Sequence, residues 1–452
     1  MVMMWIFATY PYQLTALLPL LLFPFLGICK LKDLAKLYFS DSVVTLLCCS
    51  AFSECLDRSG LLRRVSLQLL RLRLMDRPLF LLMLFGFSTA LVAALARRTL
   101  AVTLMSAMTR ALVVEIKIAV EAKYTRGTLQ RGPEGEPNFE EDVEIKKEID
   151  DFSALLRALL MMVVFCAHFG AFLLPTGSNE LLDFKALSDR HLRELSLSQP
   201  GFWLLTNGPC TLVLVVFNAL YFHLLHVRKL FRNTLRKSIV LSLSVGIDCG
   251  QSCERNLVRP PCLKKCFLFV FCASAFSAEG SFKAKVSPVI GYKCSVTDAT
   301  PAVLLMVVFA FLPLQALQVA SNDRVFRWKS ILPQIPWGLC LVLGSGNAVA
   351  HASKNSGMTD ILLHLFGDSK EPIGKQLQLS ASVALASQLA PGQLDDRLFR
   401  SILERTSSGS EHALYYLLPA ATASTFTYLL PCSNAANLLV YHYSRIKLTD
   451  MV

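Results

Sequence analysis

The sequence is short of charged residues. Asp, Glu, Lys and Arg make up 17% of its 452 residues, and hydrophobic residues make up 54%, whereas a soluble domain is about 25% charged. Several stretches contain no charged residue at all and are long enough to cross about 30 Å of hydrocarbon as helices. These stretches are residues 1–29, 78–96, 158–179, 201–227, 301–322, 330–353 and 412–444. The composition therefore excludes an ordinary soluble domain and predicts a polytopic membrane protein.

Catalytic and metal-binding motifs are also missing. There are only 8 histidines, with no HExxH motif and no Gly-rich phosphate loop. The cluster Cys249, Cys253, Cys262 and Cys266 is spaced more widely than the C-x-x-C pairs that hold zinc. The first apolar stretch has no basic n-region and no small-residue cleavage site, so we interpret it as a retained span. We therefore predict that the protein is not an enzyme and has no metal centre.

The remaining apolar and charged segments complete the predicted organisation. Shorter apolar stretches at 42–53, 266–278 and 376–394 bring the prediction to about eight to ten membrane elements. Basic connectors at 57–77 and 227–237 are predicted on the cytoplasmic side, and they explain much of the net charge of +12 without nucleic acid. The mixed-charge segment 127–151 is predicted to be a flexible loop with a short helix at its acidic end. The predicted fold class is thus an all-α polytopic membrane protein, with one transmembrane domain over residues 1–452 and connecting loops at 115–153 and 228–261.

Two apolar stretches are interrupted in similar ways. "PTGSN" interrupts the first at residues 175–179, and "PCSNAAN" interrupts the second at residues 431–437. Lipid does not tolerate unpaired backbone, so such breaks line a cavity or pack within protein. A matched pair of broken helices is typical of a midplane substrate and ion site in transporters. The alternative is a pair of proline kinks whose Ser and Asn side chains hydrogen-bond nearby helices, and this pattern alone favours neither.

A pair of arginines, Arg97 and Arg98, interrupts the otherwise lipid-compatible stretch 91–105. A charge at the bilayer centre costs roughly 3 kcal/mol on insertion scales. Either this segment lies outside the membrane, or the pair faces water or protein, or these arginines replace residues that suited the position better.

The chain resembles a known family along nearly its whole length. "YQLTALLPLLLFPFLGI" (12–28), "IPWGLCLVLGSGNA" (335–348) and the stretch around "SNAAN" (433–437) are similar, in order, to landmarks of the sodium/dicarboxylate–citrate–sulfate symporters, also called divalent anion:sodium symporters. Residues that match the first landmark are Trp5, Pro11, Thr15, Pro19, Phe23, Pro24 and Gly27. Measured against that family, the chain begins within an early landmark and ends soon after the last one. We interpret it as a divergent and truncated member.

This resemblance implies two inverted repeats, at about 1–227 and 262–452, each with a re-entrant hairpin and a broken helix. It implies sodium-coupled symport of a di- or tricarboxylate such as succinate or citrate, with sulfate or another divalent anion as an alternative. Sodium would be the coupling ion, and no other cofactor is implied. The implied partners are membrane lipid and a second copy in a homodimer, without nucleic acid. The implied location is the plasma membrane.

Carried over residue by residue, the family's binding motifs are only partly present. The first hairpin tip, Ser-Asn-Thr in the family, falls on Arg97, Arg98 and Thr99, and the second tip, expected near 389–394, has no counterpart. The candidate substrate- and sodium-binding residues implied by the resemblance are Thr99, Thr176, Gly177, Asn179, Ser433, Asn434 and Asn437.

The arginines at the first tip leave two functions open. One is symport, and the other is a transport-impaired or non-transporting member of the family. A guanidinium about 4 Å from sodium repels it by roughly 4 kcal/mol at an effective dielectric of 20, whereas it attracts a dicarboxylate. On this basis we hypothesise that the chain binds dicarboxylates weakly or statically and does not couple their movement to sodium.

Overall fold

The structure is a computed structural model that describes residues 11–58, 62, 65–66, 78–131, 139–191, 200–227, 299–311, 328–357, 361, 372–389, 410–428 and 434–444. Within these ranges the regular structure is entirely helical. The first half contains α1 (Tyr12–Thr15), α2 (Leu18–Phe25), α3 (Leu31–Tyr38), α4 (Asp41–Arg58), α5 (Pro78–Ala96), α6 (Arg98–Arg131), α7 (Phe139–Ala171), α8 (Asn179–His191) and α9 (Pro200–Phe222). The second half contains α10 (Ala299–Phe311), α11 (Trp328–Ile331), α12 (Trp337–Asn355), α13 (Pro372–Leu389), α14 (Ser410–Thr425) and α15 (Ala435–Ser444).

Among the described residues, five helical stretches are long and apolar enough to cross a membrane. They are Leu31–Asp57, Leu79–Ala96, Arg98–Ile118, Ser153–Ala171 and Gly201–Leu225. The predicted all-α polytopic membrane fold is therefore confirmed. The predicted number of membrane elements stays a prediction, because much of 228–327 and the stretches around 390–409 lie outside the described residues.

Helices α5, α6 and α7 form the centre of the molecule and pack against one another. Gly170 on α7 lies against the backbone of α5, where a Cβ atom would come within 2.1 Å of the Ala90 carbonyl oxygen. A residue without a side chain is therefore needed for these two helices to approach so closely. Helices α4, α9, α12 and α15 surround this centre and share its apolar core.

A second apolar cluster lies at the end of α7. Helices α13 and α14 pack against each other, and α8 packs against α14. Phe172, Phe184 and Trp203 fill the space between these helices and α9. This packing brings the end of α14 close to the end of α7.

The surface of α9 is apolar. Leu205 is 81% exposed and Phe217 is 66% exposed, together with Leu204, Leu212 and Val213 on the same helix. Exposed side chains of this kind are unfavourable in water but suit contact with lipid acyl chains. The exposed face of α9 therefore has the apolar character that suits contact with lipid.

Two segments differ from their predictions, and a third is described only in part. Residues 127–151 are predicted to be a flexible loop with a short helix at its acidic end; helix is present at that end, but α7 begins at Phe139 and continues to Ala171, and α6 extends to Arg131. From residue 11 onward, the apolar stretch 1–29 forms two short helices interrupted at residues 16–17; residues 1–10 lie outside the described residues, so the retained span stays a prediction. The span Arg98–Ile118 was not expected, because a search for charge-free stretches excludes a helix that contains Arg98 and Arg110.

Candidate substrate and cation site

Helices α5 and α6 form a helical hairpin whose tip is Arg97. The residue has a φ of 70°, in the left-handed region that costs a non-glycine residue roughly 1–2 kcal/mol. Its carbonyl oxygen accepts a hydrogen bond from the Ala101 N–H at 3.0 Å, which starts α6. The two helices pack against each other, so Arg97 lies at the turn between them, in the region where the family resemblance implies the first hairpin tip.

Arg98 is buried and points into the protein, where only 6% of its surface is exposed. Its Nη2 lies 3.2 Å from both carboxylate oxygens of Glu180, and its Nη1 donates to the Thr425 carbonyl oxygen at 3.0 Å. The same Nη1 lies 3.0 Å from Nδ1 of His168. The arginine in the apolar stretch is thus half of a buried ion pair, and its charge is balanced within the protein.

His168 continues this network. A guanidinium can only donate hydrogen bonds, so Nδ1 of His168 is the acceptor and Nε2 carries the proton. Nε2 lies 2.8 Å from Oδ1 of Asn437, and it therefore donates to that oxygen. The Asn437 amide in turn donates to the Thr427 carbonyl oxygen. Donors and acceptors alternate along this series of hydrogen bonds from Glu180 to Thr427. The alternation fixes the orientation of the Asn437 amide and the tautomer of the His168 imidazole.

The first helix break connects α7 to α8. The chain turns after Ala171 and forms one 3-10 turn at Pro175–Gly177. A Cβ atom on Gly177 would come within 2.4 Å of the Ala171 carbonyl oxygen, so glycine is required for this turn. The Thr176 hydroxyl donates to the Ala94 carbonyl oxygen at 3.2 Å, which attaches the break to α5 one turn before the hairpin tip.

The second helix break follows α14, which ends at Thr425. Asn434 precedes α15, and its Oδ1 accepts a hydrogen bond from the Ala436 N–H at 3.1 Å, as an N-cap residue does. Its amide nitrogen lies 3.4 Å from the Thr427 hydroxyl oxygen. Residues 429–433, including the candidate Ser433, lie outside the described residues.

Helix ends around the ion pair have the polarity that it requires. Glu180 lies in the first turn of α8, where the positive end of the helix dipole stabilises a carboxylate. Thr425 is the last residue of α14, where the carbonyl groups form the negative end and stabilise the guanidinium. Arg98 also begins α6, whose positive end opposes its charge. The contacts with Glu180 and Thr425 offset that repulsion.

An aromatic group covers one side of the network. The Tyr428 ring lies 4.7 Å from the His168 ring and stacks on Phe426 at 5.7 Å. Its hydroxyl group is buried, and among the described residues it has no hydrogen-bond partner. An unsatisfied buried hydroxyl beside a charged network is a candidate contact for a bound polar molecule.

Two of the candidate residues have hydrogen bonds that connect them to the hairpin tip, and two others directly adjoin the Arg98–Glu180 ion pair along the chain. Asn437 joins Arg98 through His168, and Thr176 lies beside the hairpin tip through Ala94. Thr99 lies in the first turn of α6, and Asn179 is the first residue of α8.

Sequence reasoning missed His168, Glu180 and Thr425. Glu180 directly follows "PTGSN", and His168 is the only histidine in its apolar stretch, so both carried a signal that could have been used. Among the described residues, no group of three or more His, Cys, Asp or Glu side chains is arranged to hold a metal ion.

A comparison with known families matches residues 2–391 to the family model for citrate transporters. The chain belongs to the citrate transporter family. Its family resemblance is therefore confirmed, and the family is one of transporters rather than enzymes.

Curated relatives of this citrate transporter family member match it over its whole length. It is 24% identical to the Na(+)/citrate cotransporter of Rattus norvegicus, in an alignment covering 100% of this chain and 85% of the relative. It is 21% identical to solute carrier family 13 member 1 of Homo sapiens, covering 99% and 85%. It is also 21% identical to the sodium-dependent high-affinity dicarboxylate transporter 2 of Caenorhabditis elegans, covering 99% and 84%.

Proposed function

We propose that this protein is a secondary active transporter that couples the movement of a di- or tricarboxylate, such as citrate or succinate, to sodium. The observation that carries the proposal is the convergence of two helix breaks on one buried polar network. Glu180, beside the first break, and Thr425, at the start of the second, both contact Arg98 at the hairpin tip. Interrupted helices that meet inside a membrane protein are the usual setting of transporter substrate and ion sites.

The similar proteins support both parts of this proposal. Relatives that match the chain over 99–100% of its length are named as cotransporters of sodium with citrate or as sodium-dependent dicarboxylate transporters. Sulfate or another divalent anion is a further substrate class, as the sequence comparison implied. Sodium acts as a transported coupling ion in this proposal, and no other cofactor is needed.

Chemically, the breaks offer groups that suit a carboxylate. Hydroxyl and amide donors hold an anion without a fixed charge, so that the anion can leave again. The Tyr428 hydroxyl is a further candidate donor. We propose binding roles for Thr99, Thr176, Gly177, Asn179, Ser433, Asn434 and Asn437, with sodium bound by side-chain and carbonyl oxygens at the same breaks.

We further propose the larger organisation that the family resemblance implies. Residues 1–452 form one transmembrane domain of two inverted repeats, at about 1–227 and 262–452, linked by 228–261. The connector 115–153 includes the helical ends of α6 and α7. The protein lies in the plasma membrane in contact with lipid, and it forms a homodimer.

A second candidate function is a transport-impaired or non-transporting family member. The observation that favours it is the Arg98–Glu180 ion pair, because a bound internal anion occupies the guanidinium that a substrate would otherwise reach. A static network that rigidifies the site would also oppose the conformational change that transport requires.

Uptake into proteoliposomes distinguishes the two functions. We expect radiolabelled citrate or succinate to accumulate under an inward sodium gradient and not under an equal potassium gradient. Asn437→Ala should reduce that uptake at least about tenfold, because it breaks the network at its second helix break. Asn218→Ala is the matched control: Asn218 is a buried asparagine on α9 that contacts Met162 and Cys166 instead. If the unmodified chain accumulates no substrate under the sodium gradient or under the potassium gradient, the non-transporting alternative is favoured.

A further inference from the structure

We propose that Arg98 is a built-in cation that fills a monovalent-cation site, and that removing its side chain turns this position into a sodium site. The site lies between the carboxyl end of α14 and the first turn of α8. It is formed by the Thr425 carbonyl oxygen and the Glu180 carboxylate. The part of this inference that concerns transport rests on the function proposed above, whereas the cation site itself does not.

The atoms around the guanidinium are those that a cation site requires. The Thr425 carbonyl oxygen lies 3.0 Å from Nη1, and the two Glu180 oxygens lie 3.2 Å from Nη2. Carbonyl groups at the carboxyl end of an interrupted helix coordinate sodium in transporters. Carboxylate oxygens are also hard ligands, which suit hard cations. Arg98 supplies the positive charge that this set of oxygens would otherwise attract from solution.

The same contacts show why Arg98 acts as a cation rather than as a receptor for substrate. Its Nη2 is already engaged by both oxygens of the Glu180 carboxylate, and its Nη1 is engaged by Thr425 and His168. A substrate carboxylate could reach these donors only after Glu180 had left. The ion pair is also buried, since the Arg98 and Glu180 side chains are 7% and 11% exposed.

Charge balance explains why sodium is excluded while Arg98 is present. A cation placed about 4 Å from both side chains would be attracted by Glu180 and repelled by Arg98 to a similar extent. Without the guanidinium only the attraction remains. At an effective dielectric of 20 that attraction amounts to about a thousandfold in affinity, before the loss of hydration is counted. The unpaired carboxylate of an Arg98→Ser variant should therefore be stabilised by sodium.

The test is the thermal stability of the full-length purified chain in sodium chloride and in potassium chloride at equal ionic strength. We expect Arg98→Ser to unfold at a lower temperature than the unmodified chain. We also expect the midpoint of Arg98→Ser to rise with sodium by about 2–5 °C more than that of the unmodified chain. Arg98→Ser/Glu180→Gln should lose this sodium-specific rise, because it lacks the carboxylate. Arg98→Lys should show none, because an ammonium remains at the site.

Arg110→Ser is the matched control. Arg110 lies three turns further along α6 and stacks on the Tyr443 ring, 3.9 Å from its centre. Its variant should keep the sodium response of the unmodified chain. The proposal is overturned if Arg98→Ser responds to sodium as Arg110→Ser does, if the double variant keeps the rise, or if Arg98→Ser fails to fold in both salts. If Arg98→Ser folds in sodium chloride but not in potassium chloride, this result would give the proposal its strongest support.

Transport gives a second readout that separates this inference from the proposed function. If the unmodified chain transports, uptake by Arg98→Ser should depend more steeply on sodium concentration, with a Hill coefficient higher by up to about one. An unchanged Hill coefficient, despite uptake, would count against the inference and leave the proposed function standing. Conversely, a sodium-specific stabilisation of Arg98→Ser, together with no uptake by the unmodified chain, would support the cation site and contradict the proposed function.

Discussion

At the scale of single residues, the central feature is an arginine that the apolar helices hold in place. A buried charge is tolerated when an opposite charge and further hydrogen bonds satisfy it. Arg98 has both, because Glu180 supplies the charge while Thr425 and His168 supply acceptors. The arginine pair that looked incompatible with lipid is therefore divided between two roles. Arg97 forms the turn, and Arg98 joins three other helices.

His168 is the residue through which the ion pair reaches the second helix break, and its replacement tests the network. We expect His168→Phe to lower the free energy of unfolding by roughly 1–3 kcal/mol, because Oδ1 of Asn437 loses its buried donor. The measurement is the thermal midpoint of the purified protein in detergent.

The matched control for this prediction is His442→Phe. His442 is an exposed histidine on α15, and changes of this kind usually alter stability by less than about 0.5 kcal/mol. Equal destabilisation by both variants would mean that the hydrogen bonds of His168 contribute no more than those of a surface side chain.

At the scale of helices, apolar stretches without charge were sufficient to predict α5, α9 and the carboxyl-terminal part of α7 from Ala158 onward. The span at the start of α6 did not meet this criterion, because it contains Arg98 and Arg110. The sequence shows that a residue is charged, but it does not show whether an opposite charge balances it inside the protein. The short helix predicted at the acidic end of 127–151 is the start of α7, and its continuation into the apolar stretch was missed for a related reason. A mixed-charge segment is compatible with a solvated helix as well as with a loop.

The candidate site could be predicted only in part. Motif comparison located the tip and both breaks, since these depend on local residues such as Gly177 and Asn437. It could not identify which side chains meet there. Glu180 is 82 residues from Arg98 along the chain, and Thr425 is 327 residues away. Local periodicity gives no information about pairings at such separations.

The first break depends on one glycine, and this gives a prediction at the level of the element. Gly177→Ala should lower the free energy of unfolding by about 1–3 kcal/mol, because its Cβ would lie 2.4 Å from the Ala171 carbonyl oxygen and the turn would have to shift. Because Glu180 follows this turn, citrate or succinate uptake should fall as well. Thermal unfolding measures the first effect and proteoliposome uptake measures the second.

Gly201→Ala is the control for that prediction. A Cβ atom on Gly201, at the start of α9, would have no heavy atom within 4 Å. We therefore expect a change of less than about 0.5 kcal/mol. If Gly177→Ala is equally mild, the turn has more room than its backbone contacts indicate.

At the scale of the whole molecule, the order of the helices relates the two basic connectors to each other. Between residues 77 and 227 the candidate spans are those of α5, α6, α7 and α9. Helices α5 and α6 should return the chain to its starting side, whether each crosses the membrane or the pair enters and leaves as a hairpin. The stretch α7 with α8 should then cross once, and α9 should cross back. Both basic connectors should therefore lie on one side, and residues 192–199 on the other.

The even number of crossings between the two basic connectors leads to a specific labelling prediction, because positively charged loops stay in the cytoplasm. In intact cells, a membrane-impermeant maleimide should label Ser198→Cys but not Ser59→Cys or Thr234→Cys, and all three should be labelled after the cells are permeabilised. The unmodified chain, which has fourteen cysteines of its own including an exposed Cys210, supplies the background to subtract. Labelling of Thr234→Cys from outside, with Ser59→Cys protected, would mean that the chain crosses the membrane an odd number of times between these residues. In that case an odd number of the candidate spans between the two connectors would cross, and the topology predicted here would be wrong.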